Sequence, residues 1–428
     1  MWQLYLVASV TMAGISAIFA LFAELAKRHD LSTTSLGWIA GTAFLSALVA
    51  QLWLARYADR GHATLLFRAG VLASAVGLVW FAAGTEVWQL VLARGLLGAG
   101  VGMIIPPARR AIVVTADDGM AGERLGTFYA FYLAGFVFGP PIAGALTVIG
   151  DVRLPFLVFG LATLVVFVSI LRTDLPESEL PTEAVRSQAS GVLRRLISDR
   201  RVVAALLVVV SFRYSIGVFE PLWATHLDNL GASTTVITLS LTGFALPMLI
   251  VARPAGRLSD RFGARWASLL AALATVPLMA AYGYVGVVWV IFALAIPHGL
   301  MESIMSPGSQ AAIADAAADE DAASAQGLAE ASGSAAAAIG AFGGPAVFDR
   351  LGAGPAWLIA AATMATLLLG SWALDPPRRP SGRGRRLAPD SSPAVEAHDL
   401  GRRATGHRAE VAEWPTDRNQ SVGGHRLG

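Results

Sequence analysis

A small set of ionisable residues lies inside long apolar runs of this chain, where a charge is costly and usually has a function. They are Glu24, Arg94, Arg213, Glu220, His298, Glu302 and Glu330. A carboxylate removed from water holds a proton more readily, and a nearby cation opposes that change. A carboxylate that moves between two such environments can therefore couple proton movement to another event. The alternative for each carboxylate is a structural salt bridge.

Depth within the apolar runs sorts these residues. Arg213 and Glu302 are predicted near the middle of their runs, and we expect them to form a central ion pair. His298 lies one helical turn before Glu302, on the same face. Three others are predicted nearer one surface: Glu24, Arg94 and Glu220. For Arg94 the alternative is an arginine that extends along the helix to the membrane surface.

Other kinds of chemistry have no signal in the sequence. It contains no nucleotide-binding P-loop, no haem motif, no metal-ligand cluster and no nucleophile–base constellation, so neither a cofactor, a metal nor an enzymatic activity is predicted. A net charge of +2 does not favour nucleic acid as a partner. The absence of cysteine excludes disulfide and thiol chemistry.

Twelve apolar runs of about twenty residues must position the buried charges. Of the 428 residues, 55% are hydrophobic and only 14% are charged, against about a quarter charged in soluble domains. A hydrocarbon core cannot hydrogen-bond the backbone, so each run is predicted to be a helix. The fourth and tenth runs can continue past Pro107 and Pro307 as kinked helices. The predicted runs are 2–23, 36–55, 65–83, 87–106, 125–149, 154–171, 202–224, 234–252, 266–284, 287–310, 324–348 and 355–374.

The runs fall into two groups of six. Residues 1–171 and 202–374 are the predicted bundles, 172–201 a polar linker, and 375–428 a tail rich in Arg, Pro, Gly and Ser that is predicted to be disordered. With the N-terminus inside, the inner loops up to Arg386 hold twenty-one basic residues and the outer loops four. This bias predicts a multi-pass protein of the cell membrane with both termini in the cytoplasm.

The two groups repeat each other at an offset of about 200 residues. Corresponding helix breaks in two halves are typical of transporters built from repeats, with the binding site at the repeat interface. The matching features are Asp59-Arg60 with Asp260-Arg261, Pro107 with Pro307, and Gly139-Pro140 with Gly344-Pro345.

The loop after the eighth run resembles a motif of the major facilitator superfamily, G-x-L-x-D-R-x-G-R. Its matching residues are Gly256, Asp260, Arg261 and Gly263, whereas the loop after the second run keeps Asp59 and Arg60. The resemblance implies a gating role, in which the carboxylate caps a neighbouring helix or pairs with arginine. The alternative is an ordinary charged turn.

Two further motifs carry the same resemblance. Arg94, Gly98 and Gly100 are similar to the family's R-x-x-x-G-x-G motif, which lies in the fourth helix. The fifth run resembles the antiporter motif of drug and metabolite exporters, with Ala143 in place of one glycine. Its residues are Gly126, Gly135, Gly139, Pro140 and Gly144. The alternative is the small-residue packing that any membrane bundle needs.

The resemblance covers residues 1–375 and implies an all-α membrane protein of the major facilitator fold. This fold has twelve transmembrane helices in two six-helix pseudo-repeats, and helices 1, 4, 7 and 10 line the central cavity. The implied function is proton-coupled export of a small hydrophobic or amphiphilic compound by alternating access. The expected partners are that substrate, the proton and the lipid bilayer, and a monomer suffices because one chain holds both repeats. Two alternatives remain, an importer of a sugar or organic acid and a non-transporting membrane sensor.

Overall fold

The computed structural model describes residues 2–57, 61–117, 120–176, 191–318 and 321–376, and its regular structure over these ranges is helical. The N-terminal half comprises α1 (Trp2–Ala20), α2 (Phe22–His29), α3 (Thr33–Tyr57), α4 (Ala63–Ala83), α5 (Val87–Val114), α6 (Ala121–Ile149) and α7 (Arg153–Ile170). The C-terminal half begins with the short α8 at 191–198. It continues with α9 (Arg200–Asn229), α10 (Thr234–Phe262), α11 (Ala264–Tyr282), α12 (Val288–Ala316), α13 (Ala322–Leu351) and α14 (Ala353–Leu374).

Twelve helices in the described ranges are long and apolar enough to cross a membrane. The prediction of twelve membrane helices is therefore confirmed. Large apolar side chains such as Val148 and Ile250 are 78% and 68% exposed on the bundle surface, as expected where lipid replaces water. Helices α5 and α12 do continue through Pro107 and Pro307, to Val114 and Ala316.

The predicted end of the first run, at residue 23, is wrong. Helix α1 stops at Ala20, and Leu21 leaves helical geometry with φ −104° and ψ 11° before α2 begins. Asp30 ends α2 with φ 50°, a left-handed conformation that Asp tolerates better than most residues. The apolar sequence continues without change through this break, so hydropathy alone does not reveal it.

The two halves repeat the same helix contacts. In the N-terminal half α6 packs on α1, and a Cβ added at Gly139 would lie 2.5 Å from the carbonyl oxygen of Ala13. In the C-terminal half α13 packs on α9 in the same way, at positions 205 residues further along the chain. The corresponding contacts are Gly135 on Ser9, Gly139 on Ala13, Gly340 on Tyr214 and Gly344 on Val218.

The apolar core is continuous between the halves at one end of the bundle and divided at the other. We use the name α2 end for the end of the bundle where α1 stops and α3 starts. The opposite end, where α1 starts and α14 stops, is called the terminal end. At the α2 end a single cluster of buried side chains includes Phe19 and Phe81 of one half with Phe219 and Trp357 of the other. Toward the terminal end the described residues of each half form their own clusters. The halves therefore pack together at the α2 end and separate toward the terminal end.

Candidate functional site

Arg94 and Glu220 form an ion pair that joins the two halves. The guanidinium of Arg94, on α5, donates a hydrogen bond to Oε1 of Glu220, on α9. Arg94 is 2% exposed and Glu220 is 6% exposed. Removing one partner from such a buried pair leaves an uncompensated charge, which is strongly unfavourable. The pair therefore makes contact between the halves depend on the charge of Glu220.

Buried aromatic side chains pack around Phe219, the residue before Glu220 in the chain. Phe219 stacks on Trp223 at 4.5 Å between ring centroids and on Phe244 at 5.2 Å. Trp223 is fully buried, and its indole N–H donates to the hydroxyl of Ser240 at 2.9 Å. Low local polarity strengthens the attraction between the charges of Arg94 and Glu220.

Glu302 has a different environment, inside the C-terminal half. Its Oε1 lies 3.6 Å from Nε2 of His298, one turn earlier on α12, which is longer than a hydrogen bond. The Tyr282 hydroxyl hydrogen-bonds Nδ1 of His298 at 2.9 Å. When the hydroxyl is the donor, Nε2 carries the imidazole proton and faces the Glu302 carboxylate. Both Glu302 and His298 are buried.

The predicted ion pair between Arg213 and Glu302 is wrong. The Nη2 atom of Arg213 instead donates to Oε2 of Glu330, on α13, at 2.8 Å. Gly333 lies on the same face of α13 one turn after Glu330, and a Cβ there would lie 2.7 Å from Cγ of Arg213. The missing side chain at Gly333 lets the stem of Arg213 lie along α13, where its guanidinium reaches Glu330.

Glu330 also faces the N-terminal half. The Nη1 atom of Arg109, on α5, lies 3.7 Å from Oε1 of Glu330. The guanidinium of Arg109 also lies over the ring of Tyr129, on α6, at 5.1 Å. The amide of Gln310, on α12, donates to Oε1 of Glu330 at 3.4 Å. We call these five residues, Arg109, Tyr129, Arg213, Gln310 and Glu330, the Glu330 cluster.

Sequence reasoning missed three members of the Glu330 cluster: Arg109, Tyr129 and Gln310. Arg109 follows Pro107 and was expected in a loop, but α5 continues past it to Val114. A proline that bends a helix without ending it places the next residues inside the bundle. The available signal was therefore the kinked-helix alternative for the fourth run.

Glu24 belongs to a set of contacts at the α2 end. It lies on α2 and accepts a hydrogen bond from the hydroxyl of Thr234. On the same helix, the Nζ atom of Lys27 lies 2.5 Å from Oδ1 of Asp228 in the C-terminal half. The backbone N–H and the hydroxyl of Thr34 donate to Asp349 at 2.7 and 2.6 Å. These contacts link the halves near the surface, away from the buried pair of Arg94 and Glu220.

Most residues of the gating motif have side chains outside the part of the chain that the structure describes. Asp59 and Arg60 lie outside the described residues. Gly256 and Asp260 lie on the backbone of α10, which continues past its membrane span, Thr234–Val251, to Phe262. Arg261 is exposed, with its guanidinium 5.6 Å from the ring of Phe262. Gly263 then turns the chain with φ 86°, a conformation that favours glycine.

The antiporter-motif glycines have three different environments. Gly135 and Gly139 pack on the backbone of α1, next to Pro140. Gly144 faces the other half, since a Cβ there would lie 2.7 Å from Oγ1 of Thr238 on α10. A Cβ added at Gly126 would meet nothing within 4 Å. The motif therefore combines packing within the N-terminal half with one close approach between the halves.

In the described part of the chain, no group of three or more His, Asp or Glu side chains is placed to hold a metal ion. The site residues instead form ion pairs, hydrogen bonds and aromatic contacts with one another.

Known proteins resemble this chain in sequence. It matches the family model described as Major Facilitator Superfamily over residues 4–228 and again over 205–412. It is 25% identical over 239 residues to Multidrug resistance protein 1 of Bacillus subtilis (strain 168), covering 55% of this chain and only 61% of that protein. It is 26% identical over 321 residues to Multidrug resistance protein MdtG of Proteus mirabilis (strain HI4320), covering 71% and 78%.

Solved structures share the architecture. A bacterial homolog of the human lysosomal transporter Spinster, in an inward-facing and occupied conformation, aligns with a TM-score of 0.73 at 14% identity, covering 87% of this chain and 95% of that one. A D-xylose-proton symporter aligns with a TM-score of 0.71 at 17% identity, covering 87% and 97%. At such low identity the likeness concerns the fold alone.

Proposed function

This chain belongs to the Major Facilitator Superfamily, and we propose that it exports a small hydrophobic or amphiphilic compound in exchange for protons. It is a transporter rather than an enzyme, as its family indicates. The relatives named as multidrug resistance proteins support efflux over the import of a sugar or organic acid.

The observation that carries the proposal is the buried pair of Arg94 and Glu220 between the halves. While Glu220 is ionised, the pair holds α5 and α9 together beneath the closed α2 end. Protonation removes the charge of Glu220 and with it most of the attraction to Arg94. When the α2 end opens for substrate release, Glu220 leaves Arg94 and binds a proton from the outside. Closure of the α2 end returns Glu220 to Arg94, which expels the proton toward the cytoplasm. Proton movement is thereby coupled to the exchange between two conformations.

Glu302 is proposed as a second proton-binding group. Its carboxylate is buried and faces a histidine rather than an arginine or lysine. An ionised carboxylate in such surroundings is costly, so the protonated form is favoured. Glu220 and Glu302 thus provide one carboxylate with a strong cationic partner and one without.

The remaining assignments follow the same proposal. The terminal end lies on the cytoplasmic side of the cell membrane, so both termini are cytoplasmic. The α2 end then faces the outside, and the conformation described is closed on that side. Residues 1–171 and 202–374 move as two bundles joined by the linker 172–201. The motifs at Asp59 and Asp260 act in gating, and the chain works as a monomer. The tail at 375–428, proposed to be disordered, lies outside the described residues apart from 375–376.

Inverted membrane vesicles test the proposal. Respiration sets up a pH gradient, a fluorescent dye reports it, and a panel of lipophilic cations, lipophilic carboxylates and antibiotics is added. We expect at least one compound to cause proton release with the wild-type protein and none with Glu220→Gln. Glu123→Gln is the matched control, since Glu123 is exposed at the start of α6. Proton-linked uptake of a sugar in whole cells, without proton release in vesicles, would support the importer. The absence of transport in both assays would support the membrane sensor.

A further inference from the structure

We infer that the Glu330 cluster selects substrates that carry an anionic group, such as a carboxylate, on a hydrophobic body. The inference rests on the proposed export function, because it names the class of compound that enters the same pathway. It is carried by the charge balance of the cluster, its hydrogen-bond geometry and its place between the halves.

The Glu330 cluster carries more positive than negative charge. Arg109 and Arg213 both approach the single carboxylate of Glu330, and an arginine in a protein does not lose its proton. Tyr129 and Gln310 bring no formal charge. A net positive group inside a membrane bundle needs an anion or water to balance it. A substrate anion would supply the missing negative charge.

Arg109 is the more weakly held of the two arginines. Arg213 makes a hydrogen bond of 2.8 Å to Glu330, whereas Arg109 stays at 3.7 Å, beyond hydrogen-bond distance. The Arg109 side chain is 35% exposed, and its guanidinium carbon lies 5.1 Å from the centre of the Tyr129 ring. A guanidinium that packs one face on an aromatic ring can still bind a carboxylate through two parallel N–H donors along its edge.

An unsatisfied acceptor lies beside the two arginines. The Oε1 atom of Gln310 is buried and has no hydrogen-bond partner among the described residues, although the amide nitrogen of Gln310 donates to Glu330. Buried polar atoms of this kind usually find a partner. A substrate N–H or O–H group next to the anionic group would provide one.

The position of the cluster allows a substrate to reach it. Arg109 and Tyr129 belong to the N-terminal half, and Arg213, Gln310 and Glu330 to the C-terminal half. The apolar cores of the halves are separate toward the terminal end, so this polar bridge faces the divided side of the bundle. A bound anion would compete with Glu330 for the arginines, and the hydrophobic body would lie between the halves.

Lipophilic cations are disfavoured by the same charges. A cation at the cluster would meet two guanidinium groups and one carboxylate that is already paired. Like charges at short distance raise the energy of the bound state. The inference therefore predicts discrimination by charge between compounds of the same shape.

The test uses 2-naphthoate and 2-naphthylmethylammonium, two probes with the same ring and opposite charge. Binding is measured by calorimetry with the purified full-length protein in nanodiscs. We expect naphthoate to bind at least about tenfold more tightly than the ammonium compound, and Arg109→Gln to lose about tenfold of that affinity. Arg109→Lys should lose less, because it keeps the charge. Arg28→Gln is the matched control, since Arg28 is ion-paired with Asp151 at the α2 end.

Glu330→Gln provides a result that a purely structural role does not explain. Because Glu330 competes with the substrate anion for the arginines, its neutral variant should bind naphthoate several-fold more tightly. Naphthoate should also raise the melting temperature of this variant more than that of the wild type. A lower naphthoate affinity in a folded Glu330→Gln protein, a preference for the ammonium compound, or no binding of naphthoate would overturn the inference.

The vesicle assay separates this inference from the proposed function. If the ammonium compound causes proton release and naphthoate does not, export stands and the anion assignment is wrong. If naphthoate binds as described but no compound in the panel moves protons, the anion site stands and proton-coupled export is wrong.

Discussion

Arg94 on α5 and Glu220 on α9 bind each other across the boundary between the two halves, and both side chains are almost completely buried. Their contact lies beneath the α2 end, where a single apolar core includes both halves. A conformational change that opens this end must break or relocate the ion pair. The stability of the closed conformation and the charge of Glu220 are therefore linked in one contact.

Single substitutions of the Arg94–Glu220 pair should destabilise the protein more than a double substitution. Glu220→Gln and Arg94→Gln should each lower the free energy of unfolding by about 3 kcal/mol, because each leaves one group buried without its partner. Arg94→Met combined with Glu220→Leu should regain most of that loss, while proton-coupled transport stays absent. Denaturant unfolding in detergent measures the three values, and losses that simply add would contradict the expected coupling.

Glu302→Gln should have the opposite effect on stability. The carboxylate of Glu302 is buried beside His298, with no arginine or lysine partner in the part of the chain that the structure describes, so a neutral side chain of the same shape removes a cost rather than a contact. We expect unchanged or higher stability together with the loss of substrate-induced proton release. The same unfolding and dye measurements apply. Destabilisation by more than about 2 kcal/mol would instead indicate a structural role.

Two glycines of the antiporter motif should respond differently to alanine. Gly126→Ala should be neutral or stabilise by up to about 1 kcal/mol, because open space surrounds it and alanine favours the helix. In Gly139→Ala the new Cβ would lie 2.5 Å from the carbonyl oxygen of Ala13, so α6 must move away from α1. We expect lower thermal stability and slower transport for Gly139→Ala alone. Equal behaviour of the two variants would contradict the packing described here.

The ion pair of Lys27 and Asp228 should help to keep the α2 end closed. The chain has no cysteine, so Thr238→Cys introduces a unique thiol at the contact with Gly144. In detergent, Lys27→Gln should speed maleimide labelling of this thiol about two- to fivefold, as expected for an exposed pair. Arg350→Gln is the control for loss of a basic charge at the same end, and an equal rise in that variant would argue against the ion pair.

The pH dependence of this labelling difference follows from Lys27. The hydrogen bond with Asp228 raises the pKa of Lys27 above its ordinary value. A group with a raised pKa in the closed form contributes fully at lower pH, and the contribution is lost as pH rises through the raised pKa. Both proteins compared carry Thr238→Cys, and one also carries Lys27→Gln. The ratio of their labelling rates should therefore stay constant from about pH 6 to about pH 9. A ratio that falls to one within this range would show that a group other than Lys27 keeps the α2 end closed.

Much of the architecture follows from local properties of the sequence. The length and apolarity of a run determine whether it crosses a membrane as a helix, and the twelve predicted runs correspond to twelve helices. The repeat was also predictable, because matching glycines and prolines produce the same contacts in both halves, as at Gly139 and Gly344. The burial of Arg94, Glu220 and Glu302 was expected from their positions within apolar runs.

Only the tertiary structure decided which charges meet. Glu302 was a reasonable partner for Arg213 by depth alone, but Gly333 provides the space that directs Arg213 to Glu330. Depth is a property of one helix and can be counted along the sequence. A side-chain contact also depends on the rotation and distance of neighbouring helices, which many residues of both helices determine together. For the same reason the sequence did not distinguish Gly144, where an added Cβ would meet the other half, from Gly126, where an added Cβ would meet nothing within 4 Å.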